Sequence, residues 1–132
     1  MEKFRKAVAL AEKLRHVFVA TADANGLPHL AAAGKLTAES DKRVAVAAWF
    51  CPGTVDNLRQ NRKISLVVWD AAADIGYQLL GEVEKVEELS VLDGYVPGEE
   101  EKPPLPQVER QLLVRLEKII DFSHAPHSDV ED

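Results

Sequence analysis

Residues 44–58, VAVAAWFCPGTVDNL, read as a strand, a sharp turn and the opening of a helix. Val44, Val46, Ala48 and Phe50 alternate with Ala45, Ala47 and Trp49, the period of two of a strand covered at least partly on both faces. Pro52 and Gly53 are expected to end that strand. Thr54 then serves as the helix N-cap, with Asp56 and Asn57 in the first turn and Leu58 pointing back to the core. A helix opening there aims unpaired backbone N–H groups and a hydroxyl at one spot, which suits a phosphate. A helix end contributes only about 0.3 to 1 kcal/mol to holding an exposed anion, so a phosphate ligand needs further donors from elsewhere in the chain.

Composition narrows the class. With 132 residues the chain is most simply one domain with a real core, and its 46% hydrophobic content is mostly aliphatic. A net charge of −6 and a pI of about 5.2 give no general basic surface, so nucleic acid is not an expected partner. The single cysteine, Cys51, excludes an internal disulfide framework and fits a reducing compartment. Neither a leader pattern nor an apolar run of roughly 18 residues is seen, so no membrane association is expected. The expectation is a soluble cytoplasmic protein with one domain over residues 1–123 and an acidic, flexible tail over 124–132.

From the start of the chain, Phe4, Ala7, Val8, Ala11 and Leu14 form one stripe with the charges off it, predicting an amphipathic helix over 2–15 that covers one side of a sheet. Residues 17–22 predict a strand, and Asp23-Ala24-Asn25-Gly26 a hairpin turn. The next strand is expected over 28–37 and contains Ala31, Ala32, Ala33 and Gly34, a run of small residues. Such a run marks either a tightly packed corner or room for a flat ligand. Lys35 ends it and is the nearest candidate for a second phosphate donor. Further strands are expected over 64–69 and 75–86, the latter with a bulge at Gly81. Residues 94–106 carry four of the seven prolines and read as a loop. Residues 108–122 fit helix and strand periods alike; a helical turn followed by a strand from Gln111 is the pattern-based expectation.

Several chemistries are set aside. His124 and His127 lack a third metal ligand nearby. Cys51 lacks an orienting histidine close in sequence, so a small buried thiol is the plainer reading. No Walker loop, dinucleotide fingerprint or serine-hydrolase elbow is present. No two acids of the 82–88 charge cluster sit beside a base or nucleophile in sequence.

The hairpin VFVATADANGLPHLAAAGKL, the segment WFCPGTVDNLRQN and the strands ISLVVWD, YQLLGEVEKV and LLVRLEKIIDFS, in this order and spacing, resemble the FMN-binding split-barrel proteins related to pyridoxamine 5′-phosphate oxidase. The likeness spans roughly residues 3–122 and favours strand over helix in its last piece. It implies an α+β, mainly β fold: a six-stranded antiparallel split β-barrel with flanking helices. It implies a homodimer with FMN at the subunit interface. It also implies Ala33, Gly34 and Lys35 beside the flavin and its phosphate, Trp49, Phe50 and Cys51 along the ring system, and Thr54 with Asn57 at the phosphate. Trp69 and Tyr77 could also wall the ring, but aromatics in any domain are often ordinary core, so the expectation rests on Trp49 and Phe50 alone. Where relatives often present Arg, Lys, Thr or Asn, this chain has Ala32, Ala33 and Gly53, leaving Lys35, Thr54 and backbone N–H groups to hold the phosphate. The residues that handle pyridoxal phosphate are not recognisable, so the resemblance implies an FMN-dependent oxidoreductase acting on another small molecule. The alternatives are a non-catalytic FMN carrier and a deazaflavin- or haem-binding relative.

Overall fold

The computed structural model describes residues 2–48, 52–92 and 107–125. Trp49, Phe50 and Cys51, the loop 94–106 and the tail 126–132 with His127 lie outside them.

The amphipathic stripe at the start of the chain forms α1 (Glu2–Leu14), which buries Phe4, Ala7 and Ala11. It ends where Arg15 turns into the left-handed region at φ 61°. Strand β1 (Val17–Ala22) alternates buried and half-buried side chains, as a half-covered strand must. The hairpin that follows is tied by the Asp23 carboxylate, which accepts from the N–H of Asn25 at 2.8 Å and of Leu27 at 2.9 Å. Gly26, at φ 85°, takes the conformation that a side chain resists.

The single strand expected over 28–37 is two strands, and this raises the count from six to seven. Strand β2 (Pro28–Ala33) pairs with β1, and β3 (Lys35–Ser40) pairs with β4 (Arg43–Ala48); Gly34 separates them. Helix α2 (Pro52–Gln60) follows, then β5 (Lys63–Asp70), β6 (Ile75–Leu92) and β7 (Gln107–Asp121). The strand order is β2-β1-β5-β6-β7-β4-β3, with every pairing antiparallel. The two outermost strands of this ladder are consecutive in the chain. The sheet therefore curls until its margins approach at Gly34, which makes a split barrel rather than a flat sheet.

Two local expectations are corrected. No helical turn precedes β7: residues from Gln107 onward are already strand, because they pair with the long outer half of β6 up to Leu92. Nor is Thr54 an N-cap. Pro52 opens α2 instead of only ending the strand, its missing N–H being tolerated in the first turn, and Thr54 is the third helical residue. The bulge expected at Gly81 is present as a register shift between Leu80 and Gly81.

The core fills the inside of the barrel. Val17, Val19, Val44, Val46, Leu66, Val68, Leu79, Leu112 and Val114 are fully buried, and α1 caps them with Phe4, Ala7 and Ala11. Each such Val or Leu contributes about 1.5 to 3 kcal/mol relative to its exposed state. The outside carries charge pairs, among them Arg43 with Glu84 at 2.8 Å and Lys63 with Glu117 at 2.7 Å. The charges of β6 thus serve as a solvated face, as the sequence suggests. At the β5–β6 end, Asp74 accepts from Trp69 Nε1 at 3.0 Å and from the N–H groups of His124 and Ala125 at 2.7 and 3.0 Å. No helix among the described residues is long and apolar enough to cross a membrane.

Candidate functional site

Register fixes which side chains face outward beside the small-residue strand. Leu36, Val46 and Leu112 are partners in one row across β3, β4 and β7, and all three are buried in the core. The neighbouring row, Lys35–Ala47–Gln111, must therefore point to the outer face, as must Thr37–Ala45–Leu113. With strands about 4.8 Å apart, Lys35 and Gln111 stand about 10 Å from each other with only an alanine methyl between them. The result is a trough of about 640 Å³ floored by Ala45 and Ala47, with Ala48 bordering it at the end of β4. Gly34, Lys35 and Thr37 form one wall, Leu89, Glu109 and Gln111 the other. A volume of this size lies within the range of small-molecule sites.

The polar groups of this trough are available to a ligand. The side chains of Lys35, Thr37, Glu109 and Gln111 make no hydrogen bond or ion pair to another described residue. At Gly34 a side chain would meet nothing within 4 Å, so the backbone there borders open space. One ammonium, one carboxylate, one amide and one hydroxyl around an apolar floor is a donor set that fits a flat ring bearing an anionic group.

The expected site residues divide between two places. Gly34 and Lys35 line the trough. Ala33 is buried in the core at 4% exposure, because the period of two turns it inward; its neighbour Ala32 lines the trough instead. Thr54 and Asn57 lie on the other side of Gly34, against the β1–β2 ribbon. Thr54 is fully buried, and Asn57 Nδ2 donates to Thr21 Oγ1 at 3.1 Å. His29, the cross-strand partner of Thr21, lies over the start of α2, with its Nε2 3.4 Å from where a Cβ on Gly53 would stand. No residue of α2 lines the trough, although α2 starts only four residues after Ala48. The flanking segment with Trp49, Phe50 and Cys51 lies outside the described residues.

Sequence reasoning missed Glu109 and Gln111, which β7 delivers from more than 60 residues away and which only the strand register reveals. It also missed the alanine floor, although Ala45 and Ala47 at alternate positions in VAVAA carry that signal. Trp69 is committed elsewhere: besides its bond to Asp74, its ring meets Phe122 edge-on at 5.7 Å. Tyr77 packs on the core. Among the described residues no three His, Cys, Asp or Glu side chains gather as metal ligands.

Known proteins with this architecture agree with the topology. An FMN-binding protein from Syntrophomonas wolfei superposes with a TM-score of 0.68 at 19% identity, covering 94% of this chain and 88% of its own. A protein of Clostridium acetobutylicum related to general stress protein 26, described as of the pyridoxinephosphate oxidase family, gives 0.63 at 24% identity, covering 94% and 91%. HupZ of Group A Streptococcus gives 0.66 at 17% identity, covering 96% and 97%. At these identities the likeness establishes the fold. No curated protein matches the sequence. The family model for pyridoxamine 5′-phosphate oxidase matches residues 4–115. From the first helix to the middle of β7, then, this chain belongs to the pyridoxamine 5′-phosphate oxidase family.

Proposed function

We propose that the chain is an FMN-binding flavoprotein, a homodimeric cytoplasmic oxidoreductase in which the outer-face trough holds the flavin at the subunit interface. The observation that carries this reading is the alanine floor between Lys35 and Gln111, with four polar side chains that have no partner among the described residues. Bound FMN would supply hydride or electron transfer; the chain's task is placement. Ala45 and Ala47 let a ring lie close to the sheet. Lys35 sets an ammonium against the phosphate, and Thr37 and Gln111 offer hydrogen bonds along the two walls. Thr54 and Asn57 hold the first turn of α2 against the β1–β2 ribbon, outside the trough. Because the trough faces outward, a second subunit is what would exclude water from it.

The reading is supported by the family match and by an FMN-binding protein among the structures of the same fold. Titration of the purified chain with FMN, followed by flavin fluorescence, tests it. A charge-assisted contact is worth roughly 1.5 to 3 kcal/mol, so Lys35→Ala should weaken binding about 10- to 100-fold. Unchanged affinity in Lys35→Ala refutes the placement, and absence of saturable FMN binding refutes the function. Reduction of the bound flavin by NADH or NADPH separates an enzyme from a carrier.

A further inference from the structure

A second groove, of about 490 Å³, runs between α1 and β3. Val8, Ala11 and Glu12 follow one another at helical spacing of three and one, which puts them on one face of α1, turned toward β3, and Arg15, just past the end of the helix, completes that wall. Ala11 and Leu36 are buried and, with Val8, give the groove an apolar floor. β3 is the last strand of the ladder and pairs only with β4, so its other edge borders this groove.

The charges here differ from those on the rest of the surface. Most described cations have a carboxylate within reach: Lys3, Lys13, Arg43, Lys63, Arg110 and Arg115 are examples. Arg15 and Lys35, like Lys6 and Lys42, make no ion pair with any described residue, and these two line one groove, with Glu12 as its only acid among the described residues. In a chain of net charge −6 this is a local reversal of sign, with a net value of one positive charge.

We propose that the α1–β3 groove binds a monoanionic organic acid, its carboxylate on Arg15 and Lys35 and its short apolar body on Val8, Ala11 and Leu36. Guanidinium geometry matches a carboxylate bidentately. The single net charge favours a monoanion over a phosphate dianion, and the apolar floor favours an alkyl body over an inorganic ion. The two grooves share Gly34, Lys35 and Thr37, so the flavin phosphate and this carboxylate would draw on the same ammonium, whereas Arg15 lines this groove alone.

Hexanoate is the probe, titrated into the full-length ¹⁵N-labelled chain, with amide shifts read by NMR. Saturable shifts are expected in residues 8–15 and 34–38, with a dissociation constant on the order of 1 mM or tighter. Arg15→Gln should weaken binding about tenfold or more. Glu12→Gln should tighten it by roughly threefold, a gain that a misfolded variant would not give. Hexanol and inorganic phosphate should each bind at least about tenfold more weakly than hexanoate. The proposal is overturned if the shifts fall elsewhere or do not saturate, if Arg15→Gln binds as well as the parent, if Glu12→Gln binds no more tightly, or if hexanol or phosphate binds as well as hexanoate. Competition between hexanoate and FMN follows from the shared Lys35, so the discriminating readout is Arg15→Gln, which should leave FMN affinity unchanged; a matching loss of FMN affinity overturns the proposal, since the groove would then be part of the flavin site. Retained hexanoate binding in a chain that fails to bind FMN supports this site while refuting the function proposed above.

Discussion

Replacing Gly81 by alanine should damage the barrel more than any surface change of its size. Gly81 sits at the register shift between β6 and β7, where a Cβ would come within 2.2 Å of the Arg115 carbonyl oxygen and 3.0 Å of the Leu116 Cα. An ordinary contact begins at about 3.4 Å, so the β6 and β7 backbones would have to part by roughly 1.2 Å (3.4 − 2.2). Backbone carbonyls cannot rotate away as a flexible side-chain tip can. Overpacking of this kind costs typically 1 to 3 kcal/mol, and the rigid obstacle places Gly81→Ala near or above the upper end, about 3 kcal/mol. With a urea m-value of about 2 kcal/mol/M, the unfolding midpoint should fall by about 1.5 M at matched protein concentration. Gly34→Ala is the internal control: nothing stands within 4 Å of its added methyl and its φ is not positive. It should leave stability unchanged or raise it by about 0.4 to 1 kcal/mol through the unfolded chain, while altering ligand affinity in the trough. A midpoint for Gly81→Ala within about 0.2 M of the parent would show that the close approach of β6 and β7 is wrong.

Other perturbations have defined outcomes. Asn57→Ala leaves the Thr21 hydroxyl, 4% exposed, without its donor and should cost about 1 to 2 kcal/mol in urea unfolding; Thr21→Val in that background should cost little more. Gly26→Ala forces a side chain to φ 85° and should cost about 1 kcal/mol, read as a lower melting temperature. The Asp74 carboxyl is held below its usual range, first by the His124 N–H and then by the Trp69 indole. Its folded pKa is depressed, so its contribution is fully present above the ordinary carboxyl pKa of 3.8 and is lost as pH falls through the folded value. Acid unfolding followed by tryptophan fluorescence should therefore show a shallower pH dependence below about pH 4 in Asp74→Asn than in the parent.

Much of the barrel was legible because each strand carries its own local signal. Val17–Ala22 alternates, Asp23 to Gly26 has turn chemistry, and Gly81 interrupts a β-rich run. The split of residues 28–40 into β2 and β3 was not legible. Gly34 looks like any bend in a strand, and only the partners chosen by either half reveal two strands at opposite margins. The start of β7 misled for a related reason. Residues 107–110 have no decisive period of their own and are strand because the outer half of β6 pairs with them. Gly34 and Lys35, which line the trough, stand out in local composition as the end of a small-residue run. Pro52-Gly53 reads locally as a stop signal, which makes Thr54 look like a cap, whereas proline is equally at home in a first helical turn. Glu109, Gln111 and Arg15 were invisible to local reasoning, since they reach the grooves through sheet register and helix packing.

The position of Gly34 bears on how the chain could be rewired. None of the six strand pairings joins β2 to β3, so cutting the peptide there severs a covalent link but no rung of the sheet. At the opposite pole, Lys3 Nζ lies 3.2 Å from Asp121 Oδ1, which brings the start of α1 beside the end of β7. A circular permutant that begins at Lys35, runs through the old C-terminus into the old N-terminus and finishes at Gly34 keeps all six strand pairings. In this protein the order in which strands are synthesised and the order in which they associate are thus separable.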